Sequence, residues 1–427
     1  MTSRILTLFV SIAIAIPAAA QVFEQTAKLV AEDLSVSANF GGAVSISGDT
    51  VVIGAEDQHA AWIFVRDPGE PNGWLELTEL VPSSPLVDGF GGAAAIDGDT
   101  AVVGDKYEDW DTGAAYVFSR HDGGTNAWGE SARLTASNAA TYNDFGRAVA
   151  IGGDTIAVGA MGNNNNHGTV YIFERNHGGV GNWGEVVRIE NPDPPLPHLT
   201  DFFGTAVALD GDLLAVGASA YDSGLGCLYL FERNQGGSNA WGQVNRLTSS
   251  DAVANQSFGN SVAIDGDTVV VAAYGDPGLV GQPLVGAVYV FERNHGGPNN
   301  WGEVAKAMAS DGEFYDALGW WVSVSGGWLV ATAPFEDDLG SDAGAVYVFN
   351  RNHGGANNWG EVQKLVAADG AGSDEFGQSA SISGPIIVVG APQMIGGNDG
   401  AAYVFTQAVF KDDFESGDTS AWSAAVP

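Results

Sequence analysis

A single cysteine, Cys227, stands in the 427 residues. No intrachain disulfide can form, so stability must come from packing and strand pairing even in an oxidising compartment. Positive charge is also scarce: 16 Lys and Arg face 52 Asp and Glu, a formal charge of −36. Such a chain repels phosphate backbones and anionic lipid, which argues against nucleic acid and membrane surfaces as partners. The acidity itself serves solubility. Helical periodicity is missing throughout. The sequence has no G-x-S-x-G elbow, no H-E-x-x-H pair and no phosphate-cradling P-loop. Beyond the N-terminus no apolar run approaches membrane-spanning length.

The N-terminus itself reads as an export signal. Arg4 supplies the positive charge, Ile5 to Ile16 the short apolar stretch, and Ala18-Ala19-Ala20 the cleavage motif. Residues 1–20 are therefore expected to be a signal peptide, and the protein to be secreted or held at the cell surface or in the periplasm, with no transmembrane segment in the mature chain.

What the chain has in abundance is repetition and glycine, 60 residues of it. Seven blocks open at Phe40-Gly41, Phe90-Gly91, Phe145-Gly146, Phe203-Gly204, Phe258-Gly259, Leu318-Gly319 and Phe376-Gly377, spaced by 50 to 60 residues. That period suits one four-stranded propeller blade. Within the block from Phe258, Ser261–Ile264 reads as a strand, Asp265-Gly266-Asp267 as a tight turn, and Thr268–Ala273 as a second strand. Gly286–Phe291 reads as a third strand, and Trp301–Lys306 as the fourth. β-branched and aromatic residues dominate these runs, as a pleated packing surface demands. The seventh block stops after Tyr403-Val404-Phe405, one strand short. Its missing strand is at the other end, because Gln25–Asp33 matches Glu361–Asp369. The expected fold is all-β: a seven-bladed propeller over residues 21–407, its ring closed by the N-terminal strand completing the last blade.

Alternating strand direction sorts the loops into two ends. One end collects short hairpins of the form x-Gly-Asp, such as Asp97-Gly98-Asp99. The other collects the loops between second and third strands and the links between blades, which vary in length and chemistry. Variable loops on a rigid scaffold are where binding resides. The candidate ligand-binding residues are Asp105, Glu108, Asp109, Trp110 and Asp111 in the second block, with Glu336, Asp337, Asp338 and Asp342 in the sixth. Calcium is a candidate ion at Asp105, Asp109 and Asp111, because hard cations take oxygen ligands; a solvated charge cluster is the alternative.

The Phe-Gly starts, with Gly54-Ala55, Gly159-Ala160, Gly217-Ala218 and Gly390-Ala391, resemble FG-GAP repeats, the units of the integrin α-subunit propeller. The likeness covers residues 21–407 and is strongest to a bacterial secreted branch. It implies a cell-adhesion or binding role. Integrin-type repeats carry calcium in the first hairpin, but here that hairpin has shrunk to x-Gly-Asp, too few oxygens for the ion. That site is not carried over.

Other residues read as structure. His121, His177, His295 and His353 fall in one recurring turn on different blades, which disfavours a zinc site. Trp128, Trp183, Trp241, Trp301 and Trp359 share one register and read as blade packing. The sixth block departs, adding Trp320, Trp321 and Trp328 beside Leu318. These are expected to repack the core around Leu318, with a carbohydrate platform that also uses Trp110 as the alternative. Residues 408–427 leave the register and are a candidate sorting segment. The expectation is a monomeric exported protein that binds an extracellular protein or glycan through its variable acidic end. A polysaccharide or phosphoester hydrolase or lyase, and a structural display scaffold, remain alternatives.

Overall fold

The computed structural model describes residues 22–408 apart from 71, 123, 125, 126, 194–199, 279–283 and 393–398. The expected signal peptide lies outside them, as does the expected sorting segment beyond Ala408. Seven four-stranded antiparallel sheets form the blades. Blades are counted here from the Phe-Gly or Leu-Gly that opens each one. In blade 3 the strands run Phe145–Gly152, Thr155–Ala160, Thr169–Arg175 and Trp183–Glu190, in that order from the ring's centre outward. Blade 7 takes Ser379–Ser383, Ile386–Ala391 and Ala401–Gln407 from the C-terminal side and Phe23–Leu29 from the N-terminus. The closing pair runs from Phe23 opposite Gln407 to Leu29 opposite Ala402. The Gln363 amide of blade 6 pins the new edge, accepting from the Phe23 amide at 2.8 Å and donating to the Phe23 carbonyl at 2.8 Å.

Phenylalanine and glycine recur because the blades meet through them. Each Phe of a Phe-Gly start is fully buried; in blade 1 it packs on Trp62 instead of a tyrosine. In blade 3 the Phe145 ring stands edge-on to Tyr171 at 5.3 Å and Phe173 at 6.1 Å, and the same triangle recurs in blades 2, 4, 5 and 7. Leu318 fills the equivalent place in blade 6 without exposure. The glycines allow backbone to touch backbone. A Cβ on Gly54 would lie 2.0 Å from the Gly91 carbonyl oxygen, and Gly91 itself has φ +98, so neither tolerates a side chain. The Gly of Gly-Ala in one blade thus receives the Gly of Phe-Gly from the next.

At the uniform end two contacts repeat around the ring. In six of the seven blades the residue before the hairpin glycine accepts from that glycine's counterpart in the next blade: Gly98 N–H donates to Ser47 Oγ at 3.1 Å, and Gly266 N–H to Asp210 Oδ2 at 2.6 Å. The arginine ending the third strand pairs with the hairpin aspartate of its own blade, as Arg120 does with Asp99 and Arg293 with Asp267, both at 2.9 Å. The same guanidiniums lie over the tryptophans of the fourth strand, at 4.5 to 5.4 Å from the ring centroids in five blades. Several also reach back to the preceding blade: Arg120 to Thr50, Arg175 to Thr100, Arg233 to Thr155 and Arg351 to Thr268. The recurrent tryptophans are blade packing, and the histidines of the neighbouring turn are exposed on separate blades. The x-Gly-Asp carboxylates are thereby committed to zipping the ring.

Candidate functional site

At the variable end, each loop between second and third strands lies against the link entering the next blade. Gly113 bridges to Phe145, and the amides of Tyr142 and Asp144 donate to the carbonyls of Trp110 and Asp111 at 3.3 and 2.9 Å. Beneath these loops a second device recurs. The tyrosine of the third strand points its hydroxyl at a loop carboxylate, and a cation from the fourth strand binds the same group. In blade 2 the Tyr116 hydroxyl donates to Glu108 at 2.6 Å, and Arg133 pairs with it at 2.8 Å. In blade 5 Tyr289 and Lys306 both hold Asp251 and Asp276. In blade 6 Tyr347 holds Asp311, while Lys364 gathers Asp311, Glu336 and Asp338 at 2.6 to 2.8 Å. Burial works against the Lys364 ammonium, but these hydrogen bonds outweigh it and hold its pKa above the ordinary lysine range. Blade 7 repeats the arrangement across the closing seam, where Lys28 pairs with Asp369 at 2.7 Å.

The candidate acids divide accordingly. Glu108 and Glu336 are buried in these clamps and hold the loops down. Asp105 is buried too, accepting from the amides of Asp88 at 3.3 Å and Glu108 at 3.0 Å, with no cation within ion-pairing distance. Burial, aided by the Glu108 charge, pushes its pKa up to about 6. It stands where most blades have the alanine of Gly-Ala, a departure visible in the sequence. Asp337 and Asp342 brace their own loop, the Asp342 amide donating to Asp337 Oδ1 at 2.8 Å. Asp109 and Asp338 are exposed and Asp111 half-exposed. Asp105 points inward while Asp109 and Asp111 face outward, and among the described residues no group of three or more His, Cys, Asp or Glu gathers to hold a metal. The two sets lie on blades 2 and 6, which are not neighbours, so they make separate surfaces. Cys227 is fully buried and burial raises its thiol pKa to about 11, which makes it an inert core residue.

Trp110 is the candidate that the structure sets apart. It is 79% exposed, the most exposed indole among the described residues. It also sits in a single left-handed turn, with Asp109, Trp110 and Asp111 at φ 48, 61 and 60. Blades 3 and 4 build the same turn from Asn164, Asn165 and Asn166 and from Asp222, Ser223 and Gly224. Asn, Asp and Gly tolerate this conformation, whereas a bulky side chain pays about 1–2 kcal/mol for it. Exposed Tyr107 and Tyr142 stand nearby in the same loop and link.

The sequence reading missed a cavity at the mouth of the central channel. It has a volume of about 400 Å³ and is lined by first strands and loops of blades 2 to 6. Trp320 and Trp321 belong to it. Instead of repacking around Leu318, Trp320 packs on Tyr274 and Phe335, each at 5.3 Å. Trp328 goes elsewhere, edge-on to Phe23 at 5.3 Å in the core beside the closing seam. The signal was present in the residue after each Phe-Gly or Leu-Gly start: Gly42, Gly92, Arg147, Thr205, Asn260, Trp320 and Gln378. Alone among the positions of that motif it differs almost from blade to blade.

No helix of the described residues is long and apolar enough to cross a membrane. A comparison with curated proteins gives no match. A comparison with family models matches the FG-GAP repeat over residues 23–62, 74–118, 128–173, 183–231, 241–291, 301–349 and 359–405. Each matched unit begins in the outer strand of one blade and ends in the third strand of the next, so the family's unit has the same offset that closes this ring. With seven units covering most of its length, the chain belongs to the FG-GAP repeat family.

Proposed function

We propose that this is an exported binding propeller whose variable end engages an extracellular protein or glycan, in an adhesion-type role consistent with its FG-GAP fold. The observation that carries the reading is Trp110. Its ring is exposed and its backbone is in a left-handed conformation that blade 3 builds from asparagines, which adopt it at lower cost. The position incurs two costs, solvent-exposed apolar area and backbone strain, with no packing return. Flanking Tyr107, Tyr142, Asp109 and Asp111 give the ring a mixed aromatic and acidic surround, the composition of a recognition patch. Export rests on residues 1–20, and the monomeric state on the ring being closed by the chain's own N-terminal strand, which leaves blade 7 no strand to borrow from another copy. Binding is favoured over catalysis because the buried candidate glutamates, Glu108 and Glu336, are engaged by arginine or lysine, Glu108 by a tyrosine as well. The test is Trp110→Ala in the mature chain, read on a glycan array and on a surface coated with matrix from the producing cells. Retention should fall at least tenfold with the melting temperature unchanged; unaltered retention on both supports overturns the proposal.

A further inference from the structure

The channel-mouth cavity differs in charge from the rest of the molecule. Although the chain has 52 Asp and Glu, none lines this cavity, while Lys106 and Arg147 do. Lys106 is neutralised by Glu56 at 2.6 Å. Arg147 is not. Every other described Lys and Arg has a carboxylate within 4.0 Å; Arg147 has none. The nearest acid on its own chain segment is Asp144, whose carbonyl accepts the Arg147 amide and whose carboxylate feels the guanidinium only through space. An exposed cation left unpaired in so acidic a protein is the opposite of what the net charge would select.

The remaining walls suit a polyhydroxylated ring. Trp320 is held at a fixed angle by Tyr274 and Phe335, and Trp321 lies beside it in the lining. Beside them, on the adjacent blade, Asn260 uses its amide nitrogen on the carbonyls of Gly319 and Trp320, both at 3.1 Å, while its Oδ1 is buried without a hydrogen-bond partner. That oxygen is an acceptor in need of a donor. Flat aromatic faces take the apolar face of a sugar ring, a free amide oxygen takes a hydroxyl, and a guanidinium takes a carboxylate through two parallel hydrogen bonds. A volume of about 400 Å³ is in the range of small-ligand sites. One uncompensated positive charge matches a carboxylate monoanion better than a phosphate dianion.

We infer that the channel mouth of blades 2 to 6 is a binding pocket for a uronate residue of an acidic glycan, with Arg147 pairing with the uronate carboxylate, Asn260 accepting a ring hydroxyl and Trp320 and Trp321 forming the aromatic wall. The inference rests on the reading of the protein as an exported binding propeller, but it uses a different part of the variable end from Trp110. Because the surface is acidic, the pocket selects isolated uronates over densely charged polyanions.

Calorimetric titration of the mature chain with short glucuronate, galacturonate and mannuronate oligosaccharides tests it, alongside the same sugars with their carboxyl groups reduced to alcohols. At least one uronate should bind, and its reduced form should bind at least tenfold more weakly. Arg147→Met, at an exposed side chain outside every clasp and clamp, should keep the wild-type melting temperature and lose the same factor for the acid only. No binding by any uronate, equal binding of acid and reduced sugar, or an unchanged affinity in Arg147→Met each overturns the inference. Trp110→Ala separates the two proposals. If it loses matrix retention while no uronate binds, the pocket fails alone. If uronate binding persists while retention is indifferent to Trp110, the outer patch fails alone.

Discussion

At one end of the ring each hairpin repeats nearly the same side chains in nearly the same bonds: an acceptor before the glycine, an aspartate after it, an arginine and a tryptophan. At the other end the same strands emerge into loops that share a tyrosine clamp beneath and almost nothing above. Both ends are rich in carboxylates, yet those of the uniform end are spent on the arginine of their own blade or on a hairpin amide of the next, whereas Asp109 and Asp111 carry no such bond and face solvent. Sequence repetition therefore marks where side chains are tied to other blades, and its breakdown marks where they are available. A charge count alone would have treated the two ends as equivalent.

The comparison is broken most severely by removing an arginine from the uniform end. Arg233 binds Asp212 at 2.9 Å and also reaches Glu174 and Thr155 of the preceding blade. Arg233→Met should leave Glu174, which is largely covered, without its cation and cost roughly 2–3 kcal/mol in urea or thermal unfolding. A loss below about 0.5 kcal/mol, the ordinary yield of an exposed pair, would mean that the repeated arginines are decoration.

A variable-end acid gives the next effect, with the opposite sign. Burial lifts the pKa of folded Asp105 from the ordinary aspartate value of 3.8 to about 6, so the folded state prefers its neutral form. Its burden is absent below about pH 4, accumulates as pH rises through 6 and is constant above. Asp105→Asn is neutral throughout, so its stability relative to the parent chain should rise between pH 4 and 7 by roughly 2 kcal/mol. A difference that does not vary with pH would show that Asp105 is charged at little cost.

The smallest effect sharpens the comparison by repairing it. The acceptor before the hairpin glycine is Ser47, Asp97, Asp210, Asp265, Ser325 or Ser383 in six blades, but Gly152 in blade 3. A Cβ there would lie in ordinary contact, 3.6 Å from the Leu209 Cβ and 3.9 Å from the Gly211 amide that lacks an acceptor. Gly152→Ser should supply the missing bond and also restrict the unfolded chain, both favourable, a gain of about 0.5–1.5 kcal/mol. A lower melting temperature would show that the zipper does not set the blade spacing.

The blade count, the closing strand and the two ends were legible in the sequence, because glycine contacts and strand periods are local and recur with each blade. The fate of the acids was not. Glu108 looks like a surface charge until Tyr116 and Arg133 are brought onto it from strands that follow it in the chain. Trp320 looked like core because a tryptophan next to a substituted Phe-Gly start suggests compensation; only the circular arrangement of first strands puts it opposite Arg147 at the channel. A ring of one residue per blade is invisible to linear reading, since its members are more than fifty residues apart except for the first pair, which is separated by fifty.

The closing strand has a temporal meaning as well. Phe23–Leu29 is made first and its partner Ala401–Gln407 last, so for nearly the whole of synthesis the earliest strand has no mate. Every inner blade can form from consecutive hairpins, but the seventh must wait for a contact spanning almost the entire polypeptide, and such long-range closure is slow. The first six blades can thus be complete while the ring is still open, and the ring locks only when Ala401–Gln407 reaches the strand made first among those described.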